Sequence, residues 1–175
     1  MKNKMLENEV VMLKVASDSG KPATKECLSN IICMLRAMHL WFHAAHNSVY
    51  GMPFAGDHFS LYHKIYDGIQ DEIDDFIERG IGLTGEQSMA CPIKITGGAH
   101  EILSQLPSPT SLKGCEISEA GRDIIEAYIE LLERACNKLD DAGELTMGLD
   151  DLMASSANTH EGYYYLLHQR ATKER

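Results

Sequence analysis

The chain has 175 residues, of which 44% are hydrophobic, enough for one domain with a buried core. Its 26 acidic residues outnumber 16 basic ones and give a net charge of −10, whereas proteins that grip nucleic-acid phosphates usually show the opposite balance. An acidic surface of this kind suits a protein that collects cations.

The sequence carries no sign of export or membrane insertion. No stretch is long and apolar enough to span a bilayer, and charges interrupt the short apolar run near the N-terminus. The five cysteines lack C-x-x-C spacing, and their odd number argues against a disulfide framework. We therefore expect a cytoplasmic protein with reduced cysteines and no membrane partner.

Turn signals divide the chain into three parts. Residues 1–22 hold a short amphipathic stretch and the turn sequence SDSGKP, which predicts an N-terminal arm. Residues 23–172 are predicted to form a helical bundle, and residues 173–175 a C-terminal tail. Short basic clusters near the two ends are usually solvated termini, so we do not expect DNA binding from them.

The first helix is predicted to begin near Thr24, a residue type that favours the N-cap position, and to end before Gly51. Apolar residues recur along it every three or four positions, which places them on one side of a helix. We call such an apolar stripe a seam, and on the first helix it comprises Leu28, Ile31, Leu35, Met38, Phe42, Ala45 and Val49.

The second helix is predicted to run from His58 to about Arg79, where Gly80 and Gly82 end it. A loop containing two glycines and a proline separates it from the first helix, which predicts an antiparallel hairpin. The seam of the second helix comprises Phe59, Tyr62, Tyr66, Ile69, Ile73 and Phe76.

A stripe of histidines and carboxylates runs beside both seams. The residue after a seam position lies ~100° further round a helix, so this stripe falls on the same side of an antiparallel pair. Its members are His39, His43, His46, His63, Asp67, Asp74 and Glu78. With a rise of ~1.5 Å per residue, His46 and His63 lie at similar heights above the turn.

Imidazoles and carboxylates on one face suit a divalent transition metal, and the share of oxygen ligands favours iron or manganese over structural zinc. Two other interpretations of the same residues stay open. His39, His43 and His46, at i, i+4 and i+7, could instead bind zinc alone. The stripe could also be a polar dimer face whose histidines only form hydrogen bonds.

More than thirty residues, 84–116, connect this hairpin to the next helix, far more than a typical loop. Such a connection predicts a crossover between two helical hairpins, as in ferritin-like folds. The sequence AHEILSQL at 99–106 predicts a short helix within it, with His100 and Glu101 on its surface.

The third helix is predicted over about Ser118 to Asp141 and the fourth over about Met147 to Arg170. An acidic run on the third helix is either a solvated face or the lining of an iron-filled cavity. It comprises Glu126, Glu130 and Glu133. Three consecutive tyrosines at 163–165 on the fourth helix must point in different directions, so at least one should reach solvent or a partner.

Several of these segments resemble one family. HFSLYHKIYD at 58–67 and IDDFIER at 73–79 resemble the second-helix signature of the Dps mini-ferritins, whose name stands for DNA protection during starvation. DDLMASSANTHEGYYYLL at 150–167 is similar to that family's last helix, and HNSVYG at 46–51 to the end of its first helix. The resemblance spans about residues 25–170.

The resemblance implies an all-α, ferritin-like four-helix subunit that assembles into a hollow shell, usually of twelve chains built from two-fold dimers. It also implies oxidation of Fe(II) by peroxide or oxygen, and iron storage. Position by position, His63 and Asp67 correspond to the histidine and aspartate of the ferroxidase site, and Asp74 and Glu78 to its second acidic pair. His46 corresponds to the histidine supplied by the neighbouring subunit.

The chain also departs from the family pattern. Asp67 and Asp74 are four residues closer than in the family, the hairpin loop carries extra residues, and Asn47 replaces the usual aromatic after the first histidine. The chain contains no Glu-x-x-His, so an intrachain di-iron centre of the larger-ferritin type is not expected. The alternative function is therefore a non-catalytic ferritin-like shell with a degenerate metal site, binding a protein or DNA.

Overall fold

A computed structural model of the protein describes residues 20–172. The predicted tail and all of the predicted arm except residues 20–22 lie outside this range. Five α-helices run through the described residues, and we number them in chain order. They are α1 (Pro22–Ser48), α2 (His63–Thr84), α3 (Pro92–Leu103), α4 (Cys115–Asp141) and α5 (Met147–Ala171).

The long helices form two hairpins, as the sequence predicts. α1 packs against α2, α4 packs against α5, and α1 also contacts α4 and the short helix α3 in the crossover. The predicted seam of α1 is buried, apart from a partly exposed Val49 at its end. The apolar seam that the same spacing predicts for α4 is also buried, and it comprises Gly121, Ile125, Tyr128, Leu132, Ala135 and Leu139. The architecture is therefore an all-α four-helix bundle with a short helix in its long connection.

The start of α1 differs from the prediction. Pro22 is its first residue, and Thr24 lies inside the first turn rather than capping it. The N-terminal N–H groups are capped from elsewhere in the chain, because Glu144 accepts hydrogen bonds from the Thr24 backbone N at 2.7 Å and the Thr24 hydroxyl at 2.8 Å. This carboxylate ties the loop between α4 and α5 to the beginning of α1.

The second helical stretch begins earlier than His58, and part of it is wound differently. The chain becomes helical at residues 54–55, and Gly56–Tyr62 form a π-helical segment that leads directly into α2. A π-helix turns less per residue than an α-helix, so the 3.6-residue period does not apply to it. For this reason Phe59, predicted to lie in the seam, is 62% exposed, while Leu61 and Tyr62 are buried.

The end of α2 was also predicted wrongly. Gly80 and Gly82 lie within the helix, which continues to Thr84 and is closed by Gly85 in the left-handed conformation (φ 72°). Gly80 leaves room for the Met89 side chain, whose methyl carbon lies 2.5 Å from the position of a Cβ on Gly80. The sequence does not distinguish a glycine that lets a side chain approach the helix backbone from a glycine that ends the helix.

The crossover helix covers different residues from those predicted. It spans Pro92–Leu103 rather than 99–106, because Pro92 favours the first turn and Gly98 is tolerated inside it. The Cys33 sulfur lies 2.5 Å from the position of a Cβ on Gly98, so this glycine allows α3 to approach α1 closely. His100 and Glu101 are exposed, as predicted.

The fourth long helix agrees with its prediction. Thr146 caps α5, its hydroxyl accepting a hydrogen bond from the Leu149 N–H at 3.2 Å. Tyr163 is buried, Tyr164 is half-buried and Tyr165 is 60% exposed, so the three tyrosines do face different surroundings. None of the helices in residues 20–172 combines the length and apolarity needed to cross a bilayer.

Candidate metal centre

Five histidines lie close together near the tip of the α1–α2 hairpin, four of them around one tyrosine. We call them the histidine cluster: His39, His43, His46, His58 and His63. Tyr66 lies among them, with ring centroids 5.9 Å from His39, 4.9 Å from His43, 5.3 Å from His46 and 5.0 Å from His63. The Tyr66 side chain, predicted as an apolar seam residue, is thus the hub of a polar cluster.

His46 and His63 approach each other within one chain. Their ring centroids lie 5.6 Å apart, in line with the similar heights estimated from the sequence. Two imidazoles that bind one ion through nitrogens at ~2.1 Å have centroids roughly 5 to 6 Å apart. The pair therefore has a separation that suits a shared metal ion.

His46 and His58 hold each other in place through two hydrogen bonds, each from one ring to the backbone carbonyl of the other residue. His46 Nδ1 lies 2.9 Å from the His58 carbonyl oxygen, and His58 Nδ1 lies 2.8 Å from the His46 carbonyl oxygen. A carbonyl only accepts, so each Nδ1 carries the proton and each Nε2 keeps its lone pair. This is the arrangement by which proteins orient metal-binding histidines.

Burial favours the neutral form of two members of the cluster. The pKa of His39 is lowered by burial first and then by the charges of Arg36 and His43. The pKa of His46 is lowered by burial, against the opposing hydrogen bond to His58, and then by the neighbouring imidazoles. Neutral imidazoles are the form that binds metals.

The carboxylates predicted for the site lie along the outside of α2. His63, Asp67, Asp74 and Glu78 are all exposed and fall within roughly 60° of one another around the helix. From His63 to Glu78, however, the helix rises by about 22 Å. One chain therefore does not bring all four side chains to one point.

The arrangement of side chains within one chain also shows that these ligands do not meet there. In residues 20–172, no group of three or more histidine, cysteine, aspartate or glutamate side chains is arranged to hold a metal ion. Asp67 is near enough to Tyr163 on α5 to raise its pKa, after the larger effects of burial and of Glu72. Glu78 instead lines a surface cleft of about 530 Å³ together with Asp75, Arg79 and neighbouring residues.

A buried ion pair anchors the π-helical segment that carries His58. Asp57 is only 4% exposed, and Arg170 Nε donates to its two carboxylate oxygens at 2.8 and 3.0 Å. This pair joins the tip of the first hairpin to the end of α5. It fixes the segment in which His58 meets His46.

A second polar group lies inside the bundle, apart from the histidine cluster. Ser156 donates to Glu72 at 2.6 Å and bonds the Tyr128 hydroxyl at 2.8 Å, and its backbone oxygen lies 3.0 Å from His160 Nδ1. Burial raises the pKa of Glu72 to about 7, although the Ser156 hydrogen bond opposes this. Burial lowers the pKa of His160 to about 4, with the bond to Ser156 opposing.

Solved structures with the same chain path identify this architecture. A Dps protein from Vibrio cholerae O1, described as a member of a broad superfamily of ferritin-like diiron-carboxylate proteins, matches with a TM-score of 0.69 and 18% identity, covering 83% of this chain and 87% of that one. The fold is that of the Dps proteins. The resemblance stated from the sequence is thereby confirmed at the level of the fold.

Two further structures have the same fold. Mycobacterium smegmatis Dps matches with a TM-score of 0.67 and 19% identity, covering 82% of each chain. Dps92 from Deinococcus radiodurans matches with a TM-score of 0.69 and 20% identity, covering 84% of each chain. No protein-family model and no curated protein sequence matches this chain.

Sequence reasoning missed His58, Tyr66 and the buried group around Ser156. His58 follows no seam in an α-helical projection, because it lies in the π-helical segment. The sequence of α5 did contain a pattern that indicates the buried group. Leu149, Met153, Ser156, His160, Tyr163 and Leu167 are spaced alternately four and three apart, which places Ser156 and His160 at core positions of α5.

Proposed function

We propose that the protein is a Dps-like mini-ferritin that binds Fe(II) at the α2 face between two copies of the chain, oxidises it with peroxide or oxygen, and stores the iron in a hollow homo-oligomer. Its shared fold with Dps proteins supports this proposal. So does the acidic balance of the chain, which favours cation uptake.

The proposal rests on the length of the exposed α2 face, which is about 22 Å from His63 to Glu78. His63 and Asp67 occupy one end of this exposed face, and Asp74 and Glu78 occupy the other. A second copy related by a two-fold axis perpendicular to α2 would place its α2 antiparallel to the first, with its Asp74 and Glu78 against His63 and Asp67 of the first. Each dimer would then contain two equivalent sites.

The histidine cluster supplies nitrogen ligands to the same site. His46 and His58 offer oriented Nε2 atoms, and His63 lies close enough to His46 to share an ion. His43 and His39 flank this group as further ligands. The set of ligand types, imidazoles with carboxylates, suits iron, with manganese or zinc able to take its place.

Iron is the substrate of this reaction. Carboxylates favour the harder Fe(III), so they lower the cost of removing an electron from bound Fe(II). The oxidised ion would then pass to acidic surface inside the shell. Glu126, Glu130 and Glu133, all exposed on α4, are our candidates for that surface.

The test is the double variant Asp74→Ala with Glu78→Ala. We expect it to abolish rapid Fe(II) oxidation, followed by absorbance, while size measurement shows an unchanged assembly. A charge-matched control, Asp140→Ala with Asp141→Ala, removes two exposed carboxylates at the end of α4 and should oxidise iron normally. Unchanged kinetics in the first variant would count decisively against the assignment.

A second candidate function is a non-catalytic shell protein that binds another protein or a nucleic acid. It is favoured by two departures from the family pattern, the short spacing between Asp67 and Asp74 and the presence of Asn47 after His46. An intact assembly that takes up no metal from Fe(II) or Zn(II) solution would support it. DNA binding is less favoured, because Arg170 of the C-terminal basic cluster is held by Asp57, and a gel shift near physiological salt tests it.

A further inference from the structure

Two sulfur atoms from different helices meet between α4 and α5. Cys136 Sγ on α4 lies 3.8 Å from Met153 Sδ on α5. Met153 is only 1% exposed, whereas Cys136 is partly exposed and packs against the edge of the core. At a metal–sulfur distance of ~2.3 Å, two sulfur atoms bound to one ion are roughly 3.8 to 4.0 Å apart. The separation of the two side chains therefore suits two ligands of a single ion.

A third sulfur atom, that of Cys27 on α1, lies at nearly the same height in the bundle. α1 and α4 pack antiparallel, because the loop after α4 is bonded to the first turn of α1. The ion pair between Glu26 and Lys138, at 2.6 Å, fixes their register. From this pair, Cys27 lies one residue along α1 and Cys136 two residues back along α4, which are steps of ~1.5 and ~3 Å in the same direction.

Burial and charge place the Cys27 thiol beside the Cys136 thiol. Cys27 is 5% exposed and belongs to the core. It is close enough to Cys136 to raise the pKa of that thiol, after the larger effects of burial and of Asp150. Burial also raises the pKa of Cys27, and the ammonium group of Lys138 opposes this effect. A positive charge therefore lies near the point where three helices bring three sulfur atoms together.

We propose that Cys27, Cys136 and Met153 bind one Cu(I) ion through their three sulfur atoms. Each thiol releases its proton to solvent as the ion binds, because a thiol that coordinates a metal is deprotonated. Two thiolates, one neutral thioether and Cu(I) together carry a charge of −1. No electron is transferred in this step.

The types of sulfur ligand distinguish Cu(I) from zinc. Structural zinc is usually held by four ligands taken from cysteine, histidine and carboxylate side chains, and methionine is not among them. Thiolate and thioether sulfurs are soft ligands and select Cu(I). Cys27 and Met153 would keep water from the ion, and the partly exposed Cys136 provides the point of entry.

This copper site is separate from the proposed iron site. Cys27 and His46 are 19 positions apart on α1, which corresponds to about 28 Å along the helix. The chain also offers a matched cysteine on α4. Cys115 is partly exposed like Cys136, but it lies 21 positions earlier, about 32 Å away along the helix. Cys115 therefore cannot join the other two sulfur ligands of the site.

The test is a titration of the reduced, iron-free protein with Cu(I) under argon, in competition with the coloured chelator bicinchoninate. We expect each wild-type chain to withhold one Cu(I) ion from the chelator. Cys136→Ser and Cys27→Ala should each weaken binding more than about 100-fold, since residues that only orient a ligand already contribute 10- to 100-fold. Cys115→Ser should bind Cu(I) as the wild type does.

Met153→Leu conserves volume and removes only the sulfur, so it carries the test if a cysteine variant does not fold. It should weaken binding about tenfold, because a neutral thioether holds the ion less strongly than a thiolate, at the lower end of the same range. X-ray absorption of the wild-type complex should show three sulfur atoms at about 2.3 Å.

Wild-type affinity in any folded variant among Cys27→Ala, Cys136→Ser and Met153→Leu would overturn the three-sulfur site. Nitrogen ligands in the X-ray absorption spectrum would overturn it too, since they would place the ion at the histidine cluster. The titration contains no iron, so its failure is distinct from a failure of Fe(II) oxidation.

Discussion

Arg170 near the end of α5 binds Asp57 at the start of the π-helical segment, 113 residues earlier, through two hydrogen bonds from one nitrogen. Asp57 is buried, so loss of Arg170 would leave its charge without a partner. We predict that Arg170→Gln lowers the free energy of unfolding by about 3 kcal/mol, the usual effect of breaking a buried ion pair. Urea denaturation of the assembled protein measures this change.

The exposed pair between Arg134 and Glu130 provides the control for that prediction. It has the same chemistry on the surface of α4, where both side chains are more than half exposed. Arg134→Gln should therefore change the free energy of unfolding by less than about 0.5 kcal/mol. Similar losses for both variants would show that burial of Asp57 does not set the strength of its bond.

Gly68 is predicted to tolerate no side chain. A Cβ at this position would lie 2.5 Å from the Tyr163 hydroxyl, which is held between α2 and α5. Gly68→Ala should therefore destabilise the protein by about 1–3 kcal/mol through overpacking. Thermal unfolding measures the loss, and adding Tyr163→Phe should recover most of it.

Gly162 is the matched glycine for this experiment. It lies within α5, is exposed, and has no atom within 4 Å of a Cβ position. Gly162→Ala should stabilise the protein by about 0.4–1 kcal/mol, because alanine restricts the unfolded chain and favours helix. A destabilising Gly162→Ala, or a neutral Gly68→Ala, would contradict the packing described for these helices.

Glu72 and His160 should give opposite pH dependences of stability. The pKa of His160 falls to about 4 on folding, so the unfolded chain takes up its proton first and stability is lost as pH falls from 6.5 towards 4. The pKa of Glu72 rises to about 7, so its stabilising effect is present at low pH and is lost as pH rises from 4.5 towards 7. The two effects nearly cancel in the wild type.

Single variants separate the two effects. Relative to wild type, His160→Gln should gain stability as pH falls from 7 to 4.5, and Glu72→Gln should lose it, each by on the order of 3 kcal/mol. Chemical denaturation across this range measures both slopes. Parallel profiles for the two variants would mean that neither group is perturbed in the folded protein.

The fold was predictable because its apolar residues keep a regular period. The seams of α1 and α4 follow this period, and their buried positions were assigned correctly apart from the partly exposed Val49. Phe59 was misassigned because the π-helical winding of its segment leaves no mark in the sequence. Gly80 was misread as a helix end because its contact with Met89 depends on how the chain folds back after α2, which the local pattern does not show.

The candidate site was only partly visible in the sequence. The histidine stripe and the closeness of His46 to His63 followed from helix geometry. The exchange of hydrogen bonds between His46 and His58 depends on the exact path of the hairpin loop, which no local pattern specifies. Glu72 was hidden in the acidic run DEIDD, although its position three residues after the buried Ile69 indicates an inward side chain.

A mixing experiment tests most directly whether the site forms between two chains. One variant carries His63→Ala with Asp67→Ala, and the other carries Asp74→Ala with Glu78→Ala. Each alone should fail to oxidise Fe(II) rapidly, and co-assembled chains should recover about a quarter of wild-type activity, because half of the random dimers regain one of two sites. Activity in the mixture no greater than in the separate variants would contradict a site shared across a two-fold axis.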